Sequence, residues 1–212
     1  MKDIPMFTTP YGTAGLILRE VPYQEEAYVR LQEVTDLQGL IKECLDFCKA
    51  VGAQRVYATG YRGLEAYPLS TAIVSMVCQK DSLGETDAAL WPVQENTAAE
   101  FQRIYNEKIF HVPNGAWMDQ ADIQEMLKRG DGYFVHRGDT LLGIGRVYDG
   151  CILWLAAVQK GAGADVVKAL ATALHTDTVK LDVATANQKA NKLYLQLGFL
   201  SVEEKSRWYQ IL

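Results

Sequence analysis

The chain has 212 residues, of which 49% are hydrophobic and 22% charged. That excludes a disordered, collagen-like or low-complexity polymer and allows one large or two small domains. Lysine and arginine number 21 against 26 aspartates and glutamates, a net charge of −5. No basic patch of the kind that binds nucleic acid stands out. The longest apolar run, around residues 151–158, falls far short of the ~20 that span a bilayer, so no membrane partner is expected. Met1-Lys2-Asp3-Ile4-Pro5 lacks the apolar core of a secretory signal, and a cytoplasmic location is expected. Cys44 and Cys48 lie four apart on one helical face, while Cys78 and Cys151 stand alone. None has zinc spacing, and His111, His136 and His175 are scattered, so buried reduced thiols and no metal are expected.

Residues 15–21 and 27–34 flank Pro22-Tyr23-Gln24-Glu25-Glu26 as a half-buried hairpin, with Ala27, Val29 and Leu31 on one face. Thr35 or Asp36 can cap the helix that follows, whose stripe is Leu37, Leu40, Ile41, Cys44, Leu45 and Cys48, and Gly52 ends it. Residues 55–59 and 69–77 read as strands. The polar stretch Asp81-Ser82-Leu83-Gly84-Glu85-Thr86 marks a boundary, giving domains 1–85 and 90–212.

The second block opens with a helix capped by Asn96 or Thr97, carrying Ala98, Phe101, Ile104 and Tyr105. After Pro113-Asn114-Gly115, Asp119 precedes a shorter helix ending at Gly130. Residues 132–136 and 140–147 form a hairpin around Arg137-Gly138-Asp139, a turn rather than an adhesion tripeptide, and Asp149-Gly150 makes the next tight turn. Residues 151–158 read as a central strand buried on both faces. The loop Gln159-Lys160-Gly161-Ala162-Gly163-Ala164 opens a helix with Val166, Val167, Leu170, Ala171 and Leu174 on one side. A strand over 179–183, a helix over 187–197 stopped by Gly198, and one or two strands around Glu203-Glu204 complete the chain. A hairpin, then a helix and a strand, occurs in both blocks, so the fold class is a mixed-sheet α/β (α+β) protein whose halves echo each other.

Two segments carry chemistry. The small residues at 161–164 let backbone N–H groups approach a ligand at a helix N-terminus, an arrangement suited to a pyrophosphate. The loop is neither a Walker A sequence nor a dinucleotide fingerprint. The second segment runs Leu181-Asp182-Val183-Ala184-Thr185-Ala186-Asn187-Gln188-Lys189-Ala190-Asn191-Lys192-Leu193-Tyr194-Leu195-Gln196-Leu197-Gly198-Phe199. With its Asn-x-x-Ala-x-x-Leu-Tyr-x-x-Leu-Gly-Phe pattern, it resembles the last motif of the GNAT (Gcn5-related) acetyltransferases. The resemblance covers about residues 90–212, and residues 1–85 look like a truncated copy lacking two leading helices.

The resemblance implies a GNAT acyl-CoA N-acyltransferase fold, a full C-terminal copy plus a partial N-terminal one. It implies acetyl-CoA as co-substrate, no metal, and transfer to the primary amine of a small molecule or peptide. The pantetheine arm would enter a gap beside the central strand, placing Leu155, Ala156 and Val158 at it. The pyrophosphate would sit on Lys160, Gly161, Ala162, Gly163 and Ala164. Asn187 would cap its helix and touch the arm, and Ala190 would let the arm pass. Tyr194, two helical turns after Asn187, would protonate the departing thiolate, a task a phenol suits. Backbone N–H groups would stabilise the oxyanion.

The loop departs from the family pattern. One register puts Gln159, Ala162 and Ala164 at the key positions. The other uses Gly161 and Gly163 and puts Val158 where an arginine or glutamine belongs. Helix phase favours the second, with Lys160 as a substitute point charge. His136, Asp149, Glu203 and Glu204 are candidate bases, and no single one is selected. Trp91, Trp117, Trp154 and Trp208 are candidates to line an acceptor pocket, Trp154 being the best placed. The alternative function is a GNAT-fold module that binds CoA or regulates without catalysis.

Overall fold

The computed structural model describes residues 5–110, 112 and 114–212. The readings placed on Met1 to Ile4, His111 and Pro113 lie outside the described residues.

In chain order the elements are β1 (Met6–Thr9), β2 (Gly12–Ile17), α1 (Val21–Gln24), β3 (Glu26–Val34), α2 (Leu37–Ala50), β4 (Arg55–Thr59), β5 (Leu69–Gln79), β6 (Ala89–Pro92), α3 (Ala98–Ile109), α4 (Gln120–Arg129), β7 (Gly132–Arg137), β8 (Thr140–Tyr148), β9 (Cys151–Ala157), α5 (Gly163–Thr172), β10 (Thr178–Ala184), α6 (Gln188–Gln196) and β11 (Leu200–Gln210). Two 3-10 turns lie at Arg62–Ala66 and Lys80–Leu83. The chain divides into two compact units. Unit 1 ends at Ile73 and takes back Lys205–Leu212, and unit 2 is Val74–Glu204. Strands β5 and β11 each begin in one unit and end in the other.

In unit 1, β1, β2 and β3 form an antiparallel meander, α2 crosses over, and β4 lies parallel to β3. The end of β11 then pairs antiparallel with β4. The apolar stripe of α2 (Leu40, Ile41, Cys44, Cys48) packs on Val29, Leu31, Val56 and Ala58, the alternating inward residues of β3 and β4. Of the two candidate caps, Asp36 serves: its carboxylate accepts from the Gln38 N–H at 3.1 Å. The link at 22–26 contains a one-turn helix rather than an open loop, because Pro22 sits in its first turn where no N–H is needed. Val21 therefore leaves the expected hairpin. Strand β1 was not anticipated, being only four residues long.

In unit 2, β6, β7, β8 and β9 run antiparallel in order, α5 crosses over, and β10 is parallel to β9, with β5 beside β10. Helices α5 and α6 cover one face through Val166, Val167, Leu170 and Tyr194, which pack with Ile152, Leu181 and Phe199. Helices α3 and α4 cover the other through Phe101, Ile104, Ile123 and Met126, against Ile144. Asp119 and Asp122 form a reciprocal capping box at the start of α4. Strand β6 is the edge the sequence reading passed over, and the C-terminal tail is one strand, β11.

Among the described residues no helix is long and apolar enough to cross a membrane. Among them no group of three or more His, Cys, Asp or Glu side chains could hold a metal ion.

Candidate active site

Strand β9 has β8 on one side and β10 on the other. Its pairing with β8 runs from Tyr148↔Cys151 to Gly143↔Ala157, with a bulge at Leu153: Val147 faces Ile152, and the next residue back, Arg146, faces Trp154. Its pairing with β10 consists of Lys180↔Cys151 and Leu181↔Ile152 and then stops, although β9 continues to Ala157 and β10 to Ala184. A bulge bends its strand and increases local twist, so the parting begins where the bulge sits. The corresponding parallel pair of unit 1 differs. Strands β3 and β4 stay registered from Glu26↔Arg55 through Arg30↔Thr59, the whole length of β4.

The parting overturns the expectation of a central strand buried on both faces. Within β9 only Ile152 is buried, and Leu153 is 43% exposed. The pairing also decides which backbone groups face the opening. The Val158 N–H bonds Leu142 O at 2.9 Å. In an antiparallel ladder hydrogen-bonded residues alternate, so Ala156 and Trp154 also direct their polar groups at β8. Leu155 and Ala157 direct theirs the other way, toward the parted side. Of the expected arm-binding residues, Leu155 thus presents its backbone to the opening, whereas Ala156 and Val158 turn theirs away. Ala157 was passed over, and the alternation counted from Val158 is the signal that finds it.

The loop after β9 is tight. The Gln159 N–H shares Leu142 O at 3.1 Å, and the Ala162 N–H bonds Gln159 O at 3.2 Å. Gly161 has φ of +86°, a conformation that favours glycine. Ala162, Val166 and Leu170 are buried on one helical face, which puts Gly161 and Gly163 on either side of the buried Ala162. A Cβ on Gly163 would sit 2.8 Å from Leu193 Cδ2, so α5 and α6 approach closely there. The Val166 N–H is the first of α5 to find an acceptor, Ala162 O at 3.0 Å. The N–H groups of Gly163 and Ala164 have none among the described residues. Lys160 is exposed beside them. Asp165, an acid in the same first turn, is bonded by Thr86 Oγ1 at 3.2 Å and by Arg137 at 3.1 Å. Arg137 also bridges to Asp87 at 2.7 Å.

At the end of β10 the Asn187 side chain caps α6 by accepting from the Ala190 N–H at 3.2 Å. The Asn191 amide donates to Ala184 O and Asn187 O at 2.8 Å each, tying the helix start to the strand end. Ala190 is partly buried against the core. Tyr194 is 8% exposed, its ring 5.7 Å from Phe199. Its hydroxyl has no hydrogen-bond partner among the described residues. Burial pushes the phenol up to about 12.

Among the candidate bases, Asp149 occupies a left-handed turn position, and Glu203 and Glu204 lie exposed on β11. His136 stacks on Trp91 with ring centroids 4.6 Å apart, and its Nδ1 is buried without a hydrogen bond. Trp154 packs against Phe101 and Tyr105 at 5.2 and 4.4 Å, inside the aromatic layer under α3. Trp208 belongs to unit 1, edge-on to Tyr28. Sequence reasoning also missed the buried pair of Asp131 and Arg146, in which Arg146 donates Nε to Oδ1 at 2.5 Å and Nη2 to Oδ2 at 3.0 Å.

The same overall arrangement of helices and strands occurs in solved structures. The chain has the GNAT acetyltransferase fold. A GCN5-related N-acetyltransferase from Sphaerobacter thermophilus aligns with a TM-score of 0.54 and 14% identity over 94% of this chain and 75% of that one. A second, from Anabaena variabilis, aligns with a TM-score of 0.60 and 13% identity over 87% of this chain and 54% of that one. A conserved protein of unknown function from Staphylococcus epidermidis aligns with a TM-score of 0.61 and 11% identity over 98% and 93%. No protein-family model and no curated protein matches the chain.

Proposed function

We propose that unit 2 is an acetyl-CoA-dependent N-acetyltransferase acting on the primary amine of a small molecule or peptide. The observation that carries this reading is the parting of β9 from β10 after Ile152 and Leu181, with the polar backbone of Leu155 and Ala157 aimed into it. That edge can pair with an amide-bearing arm as a sheet pairs with an added strand. The pyrophosphate falls to Gly161, Ala162, Gly163 and Ala164, where unspent N–H groups and the helix dipole favour an anion, with Lys160 as a mobile point charge. The binding of Asp165 by Arg137 offsets a carboxylate that would repel it. Asn187 holds the helix start, and the small Ala190 leaves passage for the arm.

Acetyl-CoA supplies an activated acetyl group. The N–H groups of Leu155 and Ala157 stabilise charge growing on its carbonyl oxygen. As the neutral amine of the acceptor forms the new C–N bond and the C–S bond breaks, Tyr194, held protonated by burial, gives its proton to the leaving sulfur, and the proton shed by the amine returns through water to the phenol. We also propose that residues 1–85 and 90–212 descend from two copies of one fold, the first partial. The meander, crossover helix and parallel strand of β1, β2, β3, α2 and β4 repeat in β7, β8, β9, α5 and β10.

Titration calorimetry of the full chain with acetyl-CoA tests this directly, and no heat at millimolar ligand rejects it. A second reading, a CoA-binding module without turnover, is favoured by the loop itself, which carries Val158 where the family has an arginine or glutamine. Binding without turnover on a broad amine panel would select that reading.

A further inference from the structure

Unit 1 lacks a parted parallel pair, yet it contains an opening of a different origin. Strand β4 stops at Thr59, while its neighbour β3 continues to Val34. On the other side β11 runs antiparallel to β4 through Tyr209↔Ala58, so Arg207 falls beside Gly60 and the residues before it extend past the end of β4. The chain turns away at Gly60 with φ of +96°, where a Cβ would collide with Leu31 O. Beyond Thr59, β3 and β11 have no strand between them, and a cleft of about 440 Å³ opens there. That size falls within the ordinary range for small-molecule sites.

Its lining is cationic in a chain whose net charge is −5. Arg30 comes from β3, and Lys205 and Arg207 from β11. Alternation along the strands puts Arg30 on the face of Tyr28, and Ser206 on the face of Trp208, the two rings being 5.4 Å apart. Lys205 and Arg207 share the opposite face with Tyr209, so positive charge reaches the cleft from both faces of the sheet. The Arg30 side chain has no hydrogen bond or ion pair with any described residue. The hydroxyls of Thr59, Tyr61 and Ser206 also line the space. Ser206 Oγ already accepts from Trp208 Nε1 at 3.1 Å, which leaves its own proton to donate.

We propose that this cleft binds the phosphate of a small phosphomonoester. The lining sets the three cations Arg30, Lys205 and Arg207 against the single carboxylate of Glu65, and the Arg30 guanidinium has a fork to offer. A phosphate dianion balances that charge better than a carboxylate monoanion does. Glu65, the one carboxylate in the lining, disfavours a polyphosphate and leaves an acceptor for a hydroxyl on the rest of the ligand. The proposal lies wholly in unit 1 and does not rest on the acyltransferase reading.

Two-dimensional ¹H–¹⁵N NMR of the full chain at low salt, titrated with glycerol phosphate, inorganic phosphate and acetate, tests it. Saturable shifts are expected at the Gly60, Tyr61 and Arg207 amides, with either phosphate binding roughly tenfold or more tighter than acetate. Arg30→Gln is expected to weaken phosphate binding by a similar factor with the rest of the spectrum in place. Absence of saturation at millimolar phosphate, shifts confined to residues 161–164, equal affinity for acetate, or undiminished binding by Arg30→Gln would each overturn the proposal.

Discussion

At the residue scale the proposed chemistry concentrates on Tyr194. Its ring is buried in the cluster that holds Val183, Phe199 and the apolar side of α5, and burial disfavours the phenolate, so the group stays protonated well above its ordinary range. Tyr194→Phe is expected to lower turnover by about 10²–10⁴-fold while leaving acetyl-CoA affinity nearly unchanged, since only the proton donor is removed. Steady-state kinetics beside calorimetry separates the two effects, and an equal loss of affinity would argue for a packing role instead. The same substitution has an alkaline signature. The folded-state pKa is raised, so the tyrosine's contribution to stability is complete below pH about 10 and is lost as pH rises toward about 12. The phenylalanine variant should therefore unfold less steeply with rising pH in that window. Tyr194 and Asn187 were legible because a family pattern fixes their spacing. Ala157 was not, because its role depends on which neighbour takes the Val158 N–H, and no one-dimensional pattern records that.

At the element scale, the sequence of β9 says strand, and the structure agrees on its extent to within a residue. What the sequence could not convey is that one edge goes unpaired. Apolar content reports average burial, whereas the bulge at Leu153 and the length of the β10 ladder are set by neighbours distant in sequence. The buried pair of Asp131 and Arg146 stands at this point. Arg146 is the last residue paired before the β8 register shifts, and the Val147 N–H bonds Asp131 O at 2.9 Å. Both side chains are almost completely buried, so removing one partner strands a charge. Arg146→Met is expected to destabilise by about 3–5 kcal/mol in urea unfolding, and adding Asp131→Asn should recover a large part of that loss. If the single variant costs no more than a surface substitution, the pair does not hold the bulge in place. The two were not legible as a pair, because a charge on a strand, as Arg146 is, or in a turn before one, as Asp131 is, normally reads as solvent-facing.

At the scale of the whole molecule, the order of helices and strands could be read from periodicity, and the strand order within each unit could not. Strands of four residues such as β1 and β6 carry too little pattern to register. The return of Lys205–Leu212 to unit 1 could not be read from periodicity either. A boundary between residues 85 and 90 follows the polar linker. Yet the Tyr57 and Ala58 region of unit 1 is paired by Tyr209 and Gln210, and the Val56 N–H bonds Leu212 O at 3.3 Å. A fragment ending at 85 would leave β4 as an open edge and uncover the apolar side of Val56 and Ala58. A fragment starting at 90 would lack β5, the neighbour of β10, and would carry the otherwise buried Trp208 and Tyr209 on a loose tail. Neither piece is expected to fold alone, and mixing them should restore the near-ultraviolet circular dichroism and dispersed NMR spectrum of the intact chain. Cooperative melting of either fragment by itself would show that the strand it lacks is not needed for its fold.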